Sequence, residues 1–170
     1  MKSESSNHQL RFSIDIRSLK DHEFTAQLSI RYTAIPALGL ASFRSPSIPI
    51  ANPRVETTIR DCFLTGYFQA SMADVADKLS QKVEIDLWHS DRLKKDTLLG
   101  KATVDLSKIL DMPLRTTSES FARVLDAYHP IDEVDENGKP LKTIGSLRII
   151  AYLEDLGPAD QLEKKGFNIK

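Results

Sequence analysis

The segment His89-Ser90-Asp91-Arg92-Leu93-Lys94-Lys95-Asp96 holds the densest set of side chains that could do chemistry. His89, two positions before Asp91, has the make-up of a general base with an orienting carboxylate, and Asp91 with Asp96 offers oxygens to a hard cation. Arg92, Lys94 and Lys95 stand among them, and neighbours in so charged a loop face solvent. The remaining histidines, His8, His22 and His129, are scattered over tails and loops. No His-Glu-x-x-His, Gly-x-Ser-x-Gly or paired-cysteine spacing occurs. Gly100-Lys101-Ala102 lacks the upstream glycine and the Ser/Thr of a phosphate loop. The expectation is a protein that is not an enzyme, with no catalytic residue, no metal ligand set and no cofactor.

The elements that would position such residues come from periodicity. Leu10, Phe12, Ile14 and Ile16 alternate with Arg11, Ser13, Asp15 and Arg17, and Ala26, Leu28, Ile30 and Tyr32 with Gln27, Ser29 and Arg31. Only Lys20-Asp21-His22-Glu23 separates Leu19 from Phe24, which predicts an antiparallel hairpin or a tight corner between neighbouring strands. From Ala34 to Pro53 four prolines break any ladder, so this stretch reads as a long surface loop with at most one short edge strand near Leu40 to Arg44. Its apolar residues predict that it packs on the domain as a functional or covering flap. Val55 to Phe68 is strand-like, with Gly66 marking a bulge or bend. Ser71 to Leu79 has a serine cap and helical apolar spacing. Val83, Ile85 and Leu87 alternate as a strand, and the pattern resumes through Leu99, Ala102, Val104 and Leu106. Ser107 to Asp111 reads as one helical turn, Phe121 to Tyr128 as a strand, Asn137-Gly138 as a turn and Leu147 to Leu153 as the last strand. The sum is an all-β, antiparallel, eight-stranded β-sandwich with one short helix and a long proline-rich loop.

Composition sets the frame. The chain has 170 residues, 41% of them hydrophobic, enough for one core and too few for two full domains. The expected division is a disordered leader over 1–8, one domain over 9–156 and a linker or extension over 157–170. Lys and Arg number 23 against 24 Asp and Glu, so no global field draws the protein to nucleic acid or an anionic membrane. Met1 to Asn7 has no apolar stretch of a signal peptide, no window is apolar enough to span a bilayer, and a soluble protein is expected. The single cysteine, Cys62, sits in a strand-like context and is expected to be a buried structural thiol. With no Asn-x-Ser/Thr acceptor, this fits a reducing cytosolic setting.

Leu10-x-Phe12-x-Ile14-x-Ile16 resembles the opening strand of a C2 domain. Val83 to Trp88 with Asp91-Arg92-Leu93 and Leu98-Leu99-Gly100-Lys101-Ala102 resembles its central strand, third loop and following strand, and Gly145-Ser146-Leu147-Arg148-Ile149 its closing strand. The resemblance runs from about Gln9 to Leu156. More narrowly, Tyr67-Phe68-Gln69-Ala70-Ser71, the proline-rich insertion and Leu87-Trp88-His89-Ser90-Asp91-Arg92 are similar to the C2 domains of scaffolds that promote centriole elongation. This implies part of a longer multidomain chain in the cytoplasm and cytoskeleton, at the centrosome or centriole, with a role in cilium biogenesis and with centriolar proteins, possible tubulin binding included, as the partner class.

Within that family an ion sits between the first and third loops, held by several carboxylates. Here His89, Asp91 and Thr97 fall at the third-loop positions, a shifted register puts Asp96 in place of Thr97, and the first loop offers only Asp21 and Glu23. With Lys20, Arg92, Lys94 and Lys95 nearby, calcium independence is expected, and Asp91 and Asp96 should pair with basic side chains or cap the loop. Some family members capture phosphoinositides on a polybasic face. Arg11, Arg17, Arg31, Lys94, Lys95 and Lys101 could form one but are diluted by Asp15, Asp86, Asp96 and Asp105, so membrane binding is the competing reading and not the expected one. A partner surface remains. Trp88, Ile150 and Tyr152 fall on the outward phase of their strands and are the partner-binding candidates, unless the flap covers them.

Overall fold

The computed structural model describes residues 7–116 and 120–159, so the parts of the expected leader and extension at 1–6 and 160–170 lie outside the described residues. Among the described residues the strands are β1 (Asn7–Lys20), β2 (Ala26–Tyr32), β3 (Phe43–Arg44), β4 (Ile48–Ile50), β5 (Thr57–Thr58), β6 (Phe63–Ser71), β7 (Lys82–His89), β8 (Thr97–Asp105), β9 (Arg115–Thr116), β10 (Phe121–Val134) and β11 (Pro140–Pro158), and the α-helix is α1 (Met72–Lys78). Seven strands are of seven residues or more and four are of two or three, where the sequence pattern predicted eight. All pair antiparallel. One layer runs β6–β1–β11–β10, the other β2–β7–β8, and β10 joins them by pairing Ile131 with Ala102 and Asp132 with Lys101. The sheet thus curls over itself into an antiparallel sandwich.

Alternation explains the core. Leu10, Phe12, Ile14 and Ile16 of β1, with Leu147, Ile149 and Ala151 of the neighbouring β11, join Leu28 and Ile30 of β2 and Val83, Ile85 and Leu87 of β7 in a single buried cluster. Each such Val, Leu, Ile or Phe side chain removed from water contributes about 1.5–3 kcal/mol. Helix α1 starts after Ser71, whose hydroxyl donates to the Asp74 carboxylate at 3.0 Å, and buries Val75 against the sandwich end. Asp105 accepts from the Ser107 amide and so starts a short 3₁₀ helix at Leu106–Asp111. No helix among the described residues is long and apolar enough to cross a membrane.

Several expectations change. β1 and β2 do not pair: β1 pairs with β11, β6 and β5, and residues 21–25 are a corner carrying the chain from one layer to the other. The proline-rich stretch is more ordered than expected, with a 3₁₀ turn at Pro36–Leu38 and two edge strands, β3 and β4, both on β2. Pro49 lies inside β4, where a missing donor is tolerated because β4 is an edge strand. Leu38, Leu40 and Ile50 of this stretch are buried in the core, so it extends the β2 edge and closes the sandwich side. Gly66 is not at a bulge. It pairs in regular register with Phe12, and its missing side chain makes room for the turn at Gly39: a Cβ on Gly66 would lie 2.5 Å from the Gly39 carbonyl oxygen. Gly39 itself takes φ +66°, the left-handed cap of the 3₁₀ turn. The strand read over Phe121 to Tyr128 runs on to Val134, and Asp135 accepts from the amides of Asn137 and Lys139 in the turn before β11.

Candidate interaction surface

Side chains of β6, β1, β11 and β10 that do not enter the core stand on the outer face of that layer. Register sets them in rows: Phe63–Asp15–Ile150–Asp126, then Thr65–Ser13–Tyr152–Val124, then Tyr67–Arg11–Glu154–Ala122. Phe63 is 53% exposed and Tyr67 45%, Tyr152 and Val124 are half-buried, and Ile150 is only 7% exposed. A groove of about 430 Å³ runs between Phe63 on one side and Arg115 and Thr116 on the other, floored by Ser13, Ala122 and Tyr152.

Charge on this face is largely consumed within it. Arg11 grips Glu154 with Nε and Nη2 at 2.8 and 2.7 Å, Arg148 grips Asp126 at 3.0 and 2.7 Å, and Arg17 reaches Asp15 at 3.0 Å. Pairs this exposed stabilise by about 0–1 kcal/mol each, so their main effect is to neutralise the face and leave its aromatic rings to decide what docks. Burial pushes the Tyr152 phenol above its ordinary pKa, so it stays an O–H donor at neutral pH. Cys62, buried before β6, is pushed up to about 11 by burial, which removes it as a nucleophile at neutral pH.

The loop end of the sandwich shows how its carboxylates are used. Asp96 accepts from Arg31 and lies 3.4 Å from Arg44, and the hydrogen bond from Arg31 holds its carboxyl below the usual carboxylate range. Asp91 accepts the Leu93 amide at 2.9 Å, and Glu23 pairs with Arg54 at 2.8 Å. His89 does not meet Asp91 as a base with its orienter, because its Nδ1 accepts the Gln27 amide at 3.1 Å. Among the described residues no three His, Cys, Asp or Glu groups converge as a metal site. Leu93 at the loop tip is 93% exposed and Val55, at the same end, 57%.

The residues singled out from sequence are not one surface. Ile150 and Tyr152 share the outer face of β11, whereas Trp88 lies on β7 in the other layer, half-buried with the Arg31 guanidinium 5.0 Å from its ring centroid. Phe63, Tyr67 and Val124, which complete the face around Tyr152, were missed. Their signal was the alternation Phe63-x-Thr65-x-Tyr67 opposite the buried phase Gly66, Phe68 and Ala70.

Known proteins agree with this architecture. The sequence model of the C2 domain family matches residues 47–121. The chain is 32% identical over 113 residues to "Centrosomal protein of 120 kDa" of Mus musculus, and 34% identical over 116 residues to the protein of that name from Bos taurus. Each alignment covers 62% of this chain and 11% of the relative, so the chain spans about a tenth of those proteins' length. Two structures of human GIVD cytosolic phospholipase A2, one of them in complex with methyl γ-linolenyl fluorophosphonate, superpose with a TM-score of 0.50. Their identity to this chain is 10% and 12%, over 87% and 90% of its length and 17% of theirs, a likeness of fold alone. Built as a curled antiparallel sandwich, the chain is similar in sequence to the C2 domain family over residues 47–121 and to these centrosomal proteins over 62% of its length.

Proposed function

We propose that this C2 domain, taken as residues 9–156, is a calcium-independent protein-interaction module of a centrosomal scaffold that takes part in centriole assembly and elongation, and is not an enzyme. The observation that carries the reading is the outer face of β6–β1–β11–β10, where exposed Phe63 and Tyr67 and half-buried Tyr152 stand among ion pairs that satisfy one another. Exposed aromatics framed by neutralised charge suit a protein partner. The centrosomal relatives support the location, and centriolar proteins, with tubulin among them, are the partner class. Commitment of Asp96 to two arginines and of Asp91 to the loop backbone supports calcium independence.

Capture from a centrosome-rich extract by the full chain, compared with Phe63→Ala/Tyr67→Ala, tests the surface. Loss of capture at an unchanged melting temperature is expected; undiminished capture would refute the assignment. Substitution is the better probe than deleting the proline-rich stretch, since that stretch carries buried Leu38, Leu40 and Ile50. Calcium should leave the thermal midpoint where it is in chelator, because a ligand of the folded state must raise it by mass action. A second reading, calcium-independent peripheral binding to phosphoinositide membranes, draws on the loop end, where Leu93 and Val55 are exposed beside Arg92, Lys94 and Lys95. Salt-sensitive pelleting with phosphoinositide liposomes, lost on Lys94→Glu/Lys95→Glu, would favour it over the protein-partner reading.

A further inference from the structure

We propose that Asn137, at the tip of the β10–β11 hairpin, is a site of covalent modification by spontaneous deamidation, and that Asp135 sets the rate. The reaction closes a succinimide ring. The Gly138 amide nitrogen gives up its proton and attacks Cγ of Asn137; this C–N bond forms, the bond to the side-chain nitrogen breaks, and ammonia leaves. Water then opens the ring at either carbonyl, giving aspartate or, with the main chain rerouted through the side-chain methylene, isoaspartate. Each product replaces a neutral amide by a carboxylate, adding one negative charge to a chain whose net charge is −1.

The chain has four asparagines, and the residue after each decides what it can do. Pro53, after Asn52, has no N–H to lose. Ile169, after Asn168, sets a β-branched side chain against the attacking nitrogen, and Asn7, before His8, is fixed in β1 opposite Ser71. Gly138 sets no side chain there. It takes φ +82°, and a Cβ added to it would meet no atom of the described residues within 4 Å beyond its chain neighbours. Asn137, Gly138 and Lys139 are all exposed, so the Asn137 side chain has room to swing and water reaches the ring.

The turn itself opposes the attack. The Gly138 N–H donates to the Asp135 carbonyl at 3.0 Å, so the nitrogen that must be freed is committed across the turn. Asp135 Oδ1 accepts the amides of Asn137 and Lys139 at 2.8 and 2.9 Å, and the Asp135 amide donates to the Lys139 carbonyl at 2.9 Å. Ring closure needs the Gly138 amide to leave its bond and turn toward Cγ of Asn137, and the swing of the adjoining peptide takes the Lys139 amide off the carboxylate. The reaction therefore proceeds from a transiently opened turn, and Asp135 fixes how often it opens. Below the tip, Thr143 Oγ1 donates to Asp132 Oδ1 at 2.9 Å and holds the stem closed, so the opening is local.

The test incubates the full 170-residue chain for weeks at physiological temperature in mildly alkaline buffer. Its peptides are then mapped by mass spectrometry and by chromatography that separates aspartate from isoaspartate. The Asn137 peptide should gain the mass of an amide-to-acid conversion and split into both products, while the peptides of Asn7, Asn52 and Asn168 change more slowly. Asn137→Gln should suppress the change. Asp135→Ala should speed it by about two- to tenfold, the population change on losing one such hydrogen bond. Asp135→Asn, which keeps an accepting oxygen, should stay close to the parent, and each variant should melt with the parent. In guanidinium the parent should react faster than when folded and Asp135→Ala no faster than the parent, because the turn is gone from both. Conversion at Asn137 no faster than at the other asparagines, aspartate as the sole product, or a folded-state rate indifferent to Asp135→Ala would overturn the proposal.

Discussion

Replacing Gly66 by alanine separates tertiary from local effects because the two predict opposite signs. Alone in a strand, Gly→Ala should stabilise by about 0.4–1 kcal/mol, since the unfolded chain loses freedom it no longer has to give up. Here the added methyl would lie 2.5 Å from the Gly39 carbonyl oxygen, 2.6 Å from its carbon and 2.7 Å from the Leu38 oxygen, all backbone atoms. Relief requires lifting the turn at residues 36–39, yet that turn is tied down by the reciprocal Ile35–Leu40 hydrogen bonds at 2.8 and 3.1 Å and by fully buried Leu38. Returning Leu38 to water costs about 1.5–3 kcal/mol. Set against the chain-entropy gain, the net loss is about 0.5–2.6 kcal/mol. For a chain of this size that is a melting-temperature drop of roughly 1–10 °C. Scanning calorimetry of Gly66→Ala, Leu38→Ala and the double variant reads it, and the double variant should lose less than the sum because the turn has already lost its anchor. An unchanged or raised midpoint for Gly66→Ala would refute the account of how the proline-rich stretch docks.

Leu28→Ala and Ile85→Ala, both fully buried in the one core cluster, should each cost about 2–5 kcal/mol in denaturant unfolding, and a near-neutral result would deny that the two layers share that core. Burial, with Lys108 adding to it, holds the His129 imidazole below its ordinary value, so the unfolded chain takes up a proton at a higher pH than the folded one. The stability it contributes is therefore present above about pH 6.5 and declines as pH falls from there. His129→Gln should flatten the fall in thermal midpoint between neutral pH and mild acid, and an unaltered slope would remove His129 from the account. Arg31→Met should destabilise at neutral pH, where Asp96 is ionised, and the difference from the parent should shrink below about pH 3.9, where the unfolded carboxyl protonates. A difference independent of pH would mean that Arg31 acts through its stacking on Trp88 instead.

The strands were legible where a two-residue period ran unbroken, as through Leu10 to Ile16 or Val83 to Leu87, because one face of each is core and the other is not. Pairing was less legible. Residues 21–25 are short enough for either a hairpin or a corner, and what decides is β11, more than a hundred residues away, which takes β1's edge over its whole length. Gly66 looked like a bulge because the backbone of Gly39, its reason for being glycine, arrives from another part of the chain. Phe63 and Tyr67 were missed for a local cause. Val55 to Phe68 was read as one strand, but Asp61 takes φ 61° and breaks it, resetting which residues face outward before β6 begins. Outward phase placed Ile150 and Tyr152 on the outer face of β11 but could not give exposure: Ile150, between Asp15 and Asp126 in its row, is nearly covered.

The same economy of charge governs both ends of the molecule and connects what was legible to what was not. Net charge of −1 suggested weak fields, yet a near-zero sum is equally compatible with a basic pole facing an acidic one. The contacts resolve this: Asp96 to Arg31, Glu154 to Arg11, Asp126 to Arg148, Asp15 to Arg17 and Glu23 to Arg54 are neutralised pair by pair, within β1 and between neighbouring strands and loops. A carboxylate held by a guanidinium is a poor calcium ligand, because binding must first break a charge-assisted pair and then bring the cation beside the displaced arginine. On the sheet face the same pairing leaves exposed Phe63 and Tyr67 standing among neutralised charges. A partner docked there, as proposed, would be selected by shape more than by electrostatic steering. Salt should accordingly alter its partner affinity little, whereas the loop-end cations Lys94 and Lys95, which have no ion pair among the described residues, would give a strongly salt-dependent contact.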